Sequence, residues 1–352
     1  MEKKEKIVIA LCVIVSIAAG ILHFAEANAV LAFAVTAVAL ALLAVLVGDA
    51  TEQLGSRLGP GATGILQSGL GNLPELFVSI FALRAGLANV VQAALVGSIL
   101  GNSLLVFGLA IFFGGLKNGT QKFKSDTPKM IATLMILAVA ALIIPTLAKE
   151  LHTPAEPHVN RLDIVCAIVL LVIFAASVIF SLKGDKAVSP NPTDCDQHPE
   201  WSMGLTVGVL AVAGIGAAFV SEWFVSALEP AMAALNISQT FAGLVVVAIA
   251  GNAIENLVGI QLAWRNQADY AVSVILNSSL QVALGLFPIL VLLSFVLGGS
   301  ILTFALSPLL IVALALSAVV TAFVVYDGES IWLEGLALIA LYFIIAASFW
   351  WG

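Results

Sequence analysis

The hydrophobic positions of this chain form long apolar runs that short polar segments separate. Eleven such runs can be drawn, and each has about the 20 mostly apolar residues that a helix needs to cross a bilayer. The predicted spans are 7–25, 28–56, 61–84, 88–115, 129–148, 160–183, 203–229, 237–264, 269–298, 301–326 and 330–351. The pattern therefore predicts an all-α, polytopic membrane protein with 11 transmembrane helices.

Composition agrees with a membrane protein. Of the 352 residues, 61% are hydrophobic and only 10% are charged, whereas a soluble domain of this size needs more charge to cover its surface. The first run follows three lysines but no small-residue cleavage site ends it, so it is predicted to be a retained helix. The three cysteines are too widely spaced for a metal motif or a disulfide framework.

Basic residues predict the orientation. With the N-terminus in the cytoplasm, eleven of the fourteen Lys and Arg residues fall on the cytoplasmic side of the spans and three fall outside. Positive charges favour the cytoplasmic side, so we expect a cytoplasmic N-terminus and, with an odd number of spans, an external C-terminus. The expected location is a prokaryotic cell membrane, with the lipid bilayer as surroundings and no nucleic-acid partner.

A short motif occurs twice in the apolar sequence. Residues 71–75 are Gly-Asn-Leu-Pro-Glu, and residues 251–255, 180 positions later, are Gly-Asn-Ala-Ile-Glu. Thr-Glu at 51–52 corresponds to Ser-Glu at 221–222, and a glycine pair ends both span 4 and span 9. An odd number of spans in each half implies that the halves are inverted. The predicted units are a leading helix (1–27), a five-helix repeat (28–183), a cytoplasmic acidic linker (184–201) and a second, inverted five-helix repeat (202–352).

The motif places two carboxylates, Glu75 and Glu255, inside apolar spans. A carboxylate in a membrane span is costly and is therefore a candidate functional residue. The predicted metal ligands are all oxygen donors: Glu75, Glu255, Asn72, Asn252, Gly71, Gly251, Ser98 and Ser278. Two carboxylates with hard oxygen ligands suit Ca²⁺. Because no His or Cys stands near either motif, zinc and copper are disfavoured.

Further polar residues surround the motifs. Asn102 is an additional oxygen donor, and Glu52, Glu222 and Gln281 are predicted to relay protons or to gate the site. For the two glutamates a structural role is an equal alternative. Pro74 is expected to break its helix, and the break at the second motif should be milder because residue 254 is isoleucine. Metal and protons would compete for the carboxylate oxygens, which is the physical basis of antiport.

At these residues the chain resembles the calcium/cation antiporter superfamily, and most of all its microbial calcium/proton antiporters. The resemblance rests on the two Gly-Asn-x-x-Glu motifs and on residues 71–83, 97–109, 247–255 and 280–294. It implies a leading helix with five-plus-five inverted halves and Glu75 and Glu255 as the central ligands. It also implies an antiporter that exports Ca²⁺ from the cytoplasm in exchange for H⁺ by alternating access, with Ca²⁺ as substrate and no cofactor.

Two positions depart from that branch. Asn256 stands where calcium/proton antiporters usually have a histidine, and Pro74-Glu75 resembles the sodium/calcium exchangers. The counter-ion therefore stays open between H⁺ and Na⁺, with Na⁺/Ca²⁺ or Na⁺/H⁺ exchange as the alternative. A cation channel is more remote, because inverted repeats with midplane carboxylates favour alternating access. No enzyme motif occurs, so an enzyme is not expected. The oligomeric state is open, a homo-oligomer being one alternative.

Overall fold

The structure, a computed structural model, describes residues 3–26, 28–58, 69–124, 126–183 and 201–351. Nearly all of this part of the chain is helical. In it we number twelve helices: α1 Lys3–Phe24, α2 Ala29–Leu58, α3 Leu73–Arg84, α4 Ala88–Asn118, α5 Asp126–Glu150, α6 Val159–Lys183, α7 Met203–Leu235, α8 Gln239–Gly251, α9 Ala253–Trp264, α10 Ala268–Ser294, α11 Pro308–Val324 and α12 Trp332–Ser348. The two short strands β1 (Gln121–Lys122) and β2 (Glu329–Ser330) pair antiparallel.

Helix length and composition agree with a membrane protein. Within the described ranges, seven helices are long and apolar enough to cross a bilayer, namely α1, α2, α4, α5, α6, α7 and α10. Three more, α8, α11 and α12, are apolar but shorter. The helical membrane class predicted from the sequence is therefore present, whereas the count of eleven crossings stays a prediction.

Several helix boundaries differ from the predicted spans. The span predicted at 301–326 begins as a helix only at Pro308, because Ser307 is the N-cap and its Oγ accepts a hydrogen bond from the backbone N–H of Leu310 (3.4 Å). Proline suits the first helical position, where no N–H partner is needed. The helix before it ends at Ser294 and not at 298. Residues 299–306 are therefore non-helical, although they are nearly as apolar as a span.

The end of the predicted linker is packed and not solvated. Trp201 is only 1% exposed. Its carbonyl oxygen accepts a hydrogen bond from the Arg57 guanidinium, and its backbone N–H donates to Gln53 Oε1 (3.4 Å). These contacts tie the start of α7 to the end of α2. The rest of the predicted linker, 184–200, and the first part of span 3, 61–68, lie outside the described residues.

The helices of the two halves cross at very short backbone distances. α4 crosses a π-helical stretch of α8, Ala242–Val247. A Cβ atom at Gly97 would lie 2.2 Å from the Leu244 carbonyl oxygen, and one at Gly243 would lie 2.4 Å from the Val90 carbonyl oxygen. A side chain at either position would collide with backbone, so only glycine allows this crossing.

Elements of the two halves correspond at the spacing of the sequence motif. α3 and α9 are both 12 residues long and begin 180 positions apart. π-helical segments occur at Gly101–Val106 in α4 and at Val282–Leu286 in α10. π-Helical turns inside α-helices are frequent at functional sites. These correspondences are those expected of the predicted internal repeat.

Candidate cation site

Both motifs lie where a helix begins again in the interior. Gly71 and Asn72 form a turn, and α3 starts at Leu73 with Pro74 in its first turn. Glu75 is the third residue of α3 and only 2% exposed. A carboxylate at this place is favoured by the unpaired N–H groups and the positive dipole end of the helix.

The second motif has a similar break that is milder, as predicted. Gly251 still belongs to α8, and only Asn252 leaves the helical conformation before α9 starts. Asn72 and Asn252 have nearly the same backbone angles, with φ values of −91° and −103°. Glu255 is the third residue of α9, as Glu75 is of α3. The side chains of residues 253–256, including Glu255, lie outside the described part of the chain.

The two motifs lie next to each other. A Cβ atom placed on Gly251 would lie 3.5 Å from Glu75 Cβ and 3.7 Å from Glu75 Cδ. These are ordinary van der Waals distances, so a methyl group at Gly251 would lie against the Glu75 side chain. The break in α8 is therefore next to the buried carboxylate of α3.

Hydrogen bonds connect the second half to α4. Asn252 Nδ2 donates to Ser98 Oγ (2.8 Å) and to the Ala248 carbonyl oxygen (2.9 Å). Asn102 Nδ2 donates to Ser278 Oγ (2.9 Å). All four of these side chains are buried. Because each amide uses its nitrogen as the donor, its oxygen is the atom that could bind a cation.

The predicted residues fall into two groups. The central group of buried or half-buried residues consists of Glu75, Asn72, Asn252, Gly71, Gly251, Ser98, Ser278 and Gln281. Glu52 and Glu222 are exposed, although their neighbours Thr51 and Ser221 are buried. Glu222 lies on α7 and lines a groove of about 250 Å³ beside Phe77 and Phe81 of α3. The two glutamates thus differ from the central group in their exposure.

The donor set of this centre is poor in side chains that bind transition metals. Among the described residues, no cluster of three or more His, Cys, Asp or Glu could hold a metal ion. The buried polar side chains of the central group are a carboxylate, amides and hydroxyls instead. Such hard oxygen donors suit Ca²⁺ or Na⁺ and not zinc or copper.

The profile of the family described as "Sodium/calcium exchanger protein" matches residues 28–183 and 205–351. The chain belongs to this family. Two similar relatives are a "Ca(2+)/H(+) antiporter" of Synechocystis (34% identity, 99% of this chain and 98% of the relative) and "Ca(2+)/H(+) antiporter ChaA" of Bacillus subtilis (35%, 97% of each). The solved structure of native YfkE superposes with a TM-score of 0.84 at 31% identity, over 98% of this chain and 99% of that one. The predicted membership of the calcium/cation antiporter superfamily is confirmed.

The buried polar residues of this exchanger that were not predicted from the sequence include Asp163 and Thr146. Asp163 on α6 is 0% exposed, and Thr146 on α5 is 2% exposed. Both bind the backbone of the non-helical segment 299–306 and not the motifs. The signal for Asp163 was present, because an acidic residue inside an apolar span is a candidate functional residue.

Proposed function

We propose that this exchanger is a secondary-active antiporter that moves Ca²⁺ out of the cytoplasm in exchange for H⁺ by alternating access. The observation that carries the proposal is the proximity of Glu75 to Gly251, which places the buried carboxylate of one motif beside the backbone break of the other. Two relatives of nearly full length are named Ca²⁺/H⁺ antiporters.

The proposed Ca²⁺ ligands are oxygens of both motifs and of the long helices beside them. Glu75 and Glu255 supply two negative charges, which neutralise one Ca²⁺. Asn72 and Asn252 supply amide oxygens, Gly71 and Gly251 supply carbonyl oxygens, and Ser98 and Ser278 supply hydroxyls. Ca²⁺ takes about 6–8 oxygens at flexible geometry, and this set is large enough to provide them.

Protons take the place of the metal ion on the same carboxylates. A site with two bare carboxylates would be too costly to carry through the low-dielectric barrier, so it crosses either with Ca²⁺ or with protons. Asn256 cannot titrate, which leaves Glu75 and Glu255 as the main proton carriers. The groove that Glu222 shares with α3 supports a relay role for Glu222, with Glu52 as its counterpart on α2 and Gln281 near the core.

The proposed architecture has eleven crossings. A leading helix over 1–27 precedes a five-helix repeat over 28–183, a cytoplasmic linker over 184–201 and an inverted five-helix repeat over 202–352. The equal lengths of α3 and α9 and the paired π-helical segments support the repeat. The N-terminus is cytoplasmic, the C-terminus is external, and the membrane is bacterial.

Sodium is the competing counter-ion. Pro74-Glu75 resembles the sodium/calcium branch of the superfamily, and Asn256 replaces a titratable residue. These two positions favour Na⁺. Against them, the relatives from Synechocystis and Bacillus subtilis are both named Ca²⁺/H⁺ antiporters.

The test is ⁴⁵Ca²⁺ flux into proteoliposomes under an imposed gradient. A pH gradient without sodium should drive Ca²⁺ uptake into vesicles that are acidic inside, and a protonophore should abolish it. Glu156→Gln, which removes an exposed charge on the His152–Glu156 pair, is the control variant and should transport normally. If a sodium gradient drives the flux and a pH gradient does not, the counter-ion is Na⁺ and the proton assignment is wrong.

A further inference from the structure

Residues 299–306, which we call the strap, form a segment without regular secondary structure between α10 and α11. The strap is partly buried: Leu302 and Phe304 are fully buried, and Phe304 packs edge to face on Phe287 at 5.0 Å, whereas Ile301 is exposed. Non-helical backbone in a membrane protein persists only where protein groups satisfy its N–H and C=O groups. The partners of the strap backbone therefore determine its position.

Side chains of the first half hold the centre of the strap. Thr146 Oγ1 donates to the Phe304 carbonyl oxygen (3.0 Å) and accepts from the Leu306 N–H (3.0 Å). Asp163 Oδ1 accepts from the Phe304 N–H (3.3 Å). Both backbone groups of Phe304 are thus bound by side chains of α5 and α6.

The start of the strap is docked on the C-terminal end of α3. The Ser300 N–H donates to the Leu83 carbonyl oxygen (2.9 Å). A Cβ atom at Gly299 would lie 2.3 Å from that oxygen and 2.8 Å from Arg84 Cα, so the two backbones touch. Leu83 follows Glu75 by eight residues, or about 12 Å along the helix axis.

α3 depends on such contacts for its position. It is a short helix that begins at a helix break, so its first turn has no continuous helix behind it. α7 packs along the side of α3, the strap binds its end, and α2, α4, α8 and α10 make further contacts with it. A shift of α3 would move Glu75 relative to Gly251.

We propose that Thr146 and Asp163 are positioning residues for the cation site, because by fixing Phe304 in the strap they hold the end of α3 and so keep Glu75 beside Gly251. The inference rests on the proposed function in that it takes the Glu75 site as the Ca²⁺ site. When the strap is loosened, only a fraction of the molecules has the binding geometry. The apparent affinity then falls by that fraction.

The experiment compares Thr146→Val with Thr146→Ser in the purified full-length protein. Valine has nearly the shape of threonine but cannot bond to Phe304 or Leu306, whereas serine keeps the hydroxyl. Thr36→Val is the matched control, since Thr36 is also buried but its hydroxyl bonds only within its own helix, to Ala32 and Phe33. Equilibrium ⁴⁵Ca²⁺ binding and hydrogen exchange of the 299–306 amides are measured on each.

Thr146→Val should weaken Ca²⁺ binding about threefold to tenfold, which corresponds to the free energy of one or two hydrogen bonds. It should also speed hydrogen exchange of the strap amides. Thr146→Ser and Thr36→Val should match the wild type in both measurements. In transport assays, Thr146→Val should raise the KM for Ca²⁺ more than it lowers the maximal rate. Faster exchange with unchanged Ca²⁺ affinity, or lower affinity in the Thr36→Val control as well, would overturn the proposal.

Asp163 gives an independent pair of variants. Asp163→Asn keeps an acceptor oxygen for the Phe304 N–H, and Asp163→Leu removes it. The asparagine variant should retain Ca²⁺ affinity and strap protection, and the leucine variant should lose both, as Thr146→Val does. If both variants bind Ca²⁺ like the wild type, Asp163 has no positioning role. Wild-type protein that binds no Ca²⁺ would instead refute the proposed function, and strap exchange would still report whether Thr146 and Asp163 hold the segment.

Discussion

Asn252 donates a hydrogen bond from Nδ2 to Ser98 Oγ at 2.8 Å, and this bond joins the second motif to α4 of the first half. Both residues are buried, so the bond is shielded from water. With the nitrogen engaged, the Asn252 amide oxygen is presented as a ligand atom. The Ser98 hydroxyl therefore orients the amide of Asn252, a proposed ligand, and is also a proposed Ca²⁺ ligand itself.

The Asn252–Ser98 bond predicts energetic coupling between the two residues. Ser98→Ala and Asn252→Ala should each weaken Ca²⁺ binding, Ser98→Ala by about threefold to tenfold and Asn252→Ala by more, since it also removes an oxygen. Once Asn252 is alanine, Ser98→Ala should weaken binding less than it does in the wild type, because only the loss of the Ser98 hydroxyl as a ligand remains. Affinities of the four proteins in the cycle, from ⁴⁵Ca²⁺ binding, give the coupling. If the two substitutions lower the Ca²⁺ affinity by independent factors that simply multiply in the double variant, the bond does not orient the ligand.

The two motif glutamates predict the largest loss of function. Glu75→Gln and Glu255→Gln should each lower Ca²⁺ flux by about 100-fold or more, because each removes one of the two charges proposed to neutralise the ion in a low-dielectric site. Size-exclusion profiles should show that both variants insert and fold. Glu156→Gln, an exposed position, is the control and should keep its flux. Normal flux in a folded Glu75→Gln protein would remove that residue from the site.

Part of this site could be predicted from the sequence because its signals are local. Glu75 stands out as a carboxylate in an apolar run, and Gly71 and Pro74 mark the break before it. The recurrence of the motif points to the second copy. These features need no knowledge of which helices touch, and the structure has the helix breaks where the sequence predicted them.

The strap could not be predicted because its sequence is apolar enough for a helix. Residues 301–306 are Ile-Leu-Thr-Phe-Ala-Leu, and the side chains that bind the backbone of Phe304, those of Thr146 and Asp163, lie far away in the sequence. The same limit applies to Gly97. The sequence around Gly97 does not distinguish this glycine from Gly208. A methyl group at Gly208 would meet no atom within 4 Å outside its own stretch of helix, whereas one at Gly97 would collide with the α8 backbone.

The Gly97 crossing predicts a steric effect on stability. Gly97→Ala would bring a methyl group 2.2 Å from the Leu244 carbonyl oxygen, so α4 and α8 must separate. Overpacking of this kind costs about 1–3 kcal/mol or more. Thermal unfolding in detergent should show a clear loss of stability for Gly97→Ala and no loss for Gly208→Ala. Equal stability of the two variants would contradict the tight crossing.

The pairing of β1 with β2 bears on the proposed topology. Lys122 and Glu329 form an ion pair at 2.9 Å, so the loops after α4 and after α11 lie on one side of the protein. The predicted alternation of spans puts both loops in the cytoplasm and Glu156 outside. In a background without native cysteines, a cysteine at Lys122 should react with an impermeant reagent only from the cytoplasm, and one at Glu156 only from outside. The reverse pattern would invert the orientation, and labelling of both from one side would contradict the span count.

Competition between protons and Ca²⁺ predicts the pH dependence of binding. Only deprotonated carboxylates bind the ion, so affinity should rise as pH rises and fall as the carboxylates take up protons. By linkage, each proton that Ca²⁺ displaces changes the dissociation constant by about tenfold per pH unit. Two displaced protons would give up to about 100-fold per unit, and Glu75→Gln, where it still binds, should halve the logarithmic slope. Calorimetry in buffers of different ionisation enthalpy counts the protons released. Binding that is independent of pH but weakened by Na⁺ would make the Pro74-Glu75 resemblance to sodium/calcium exchangers the better guide to the counter-ion.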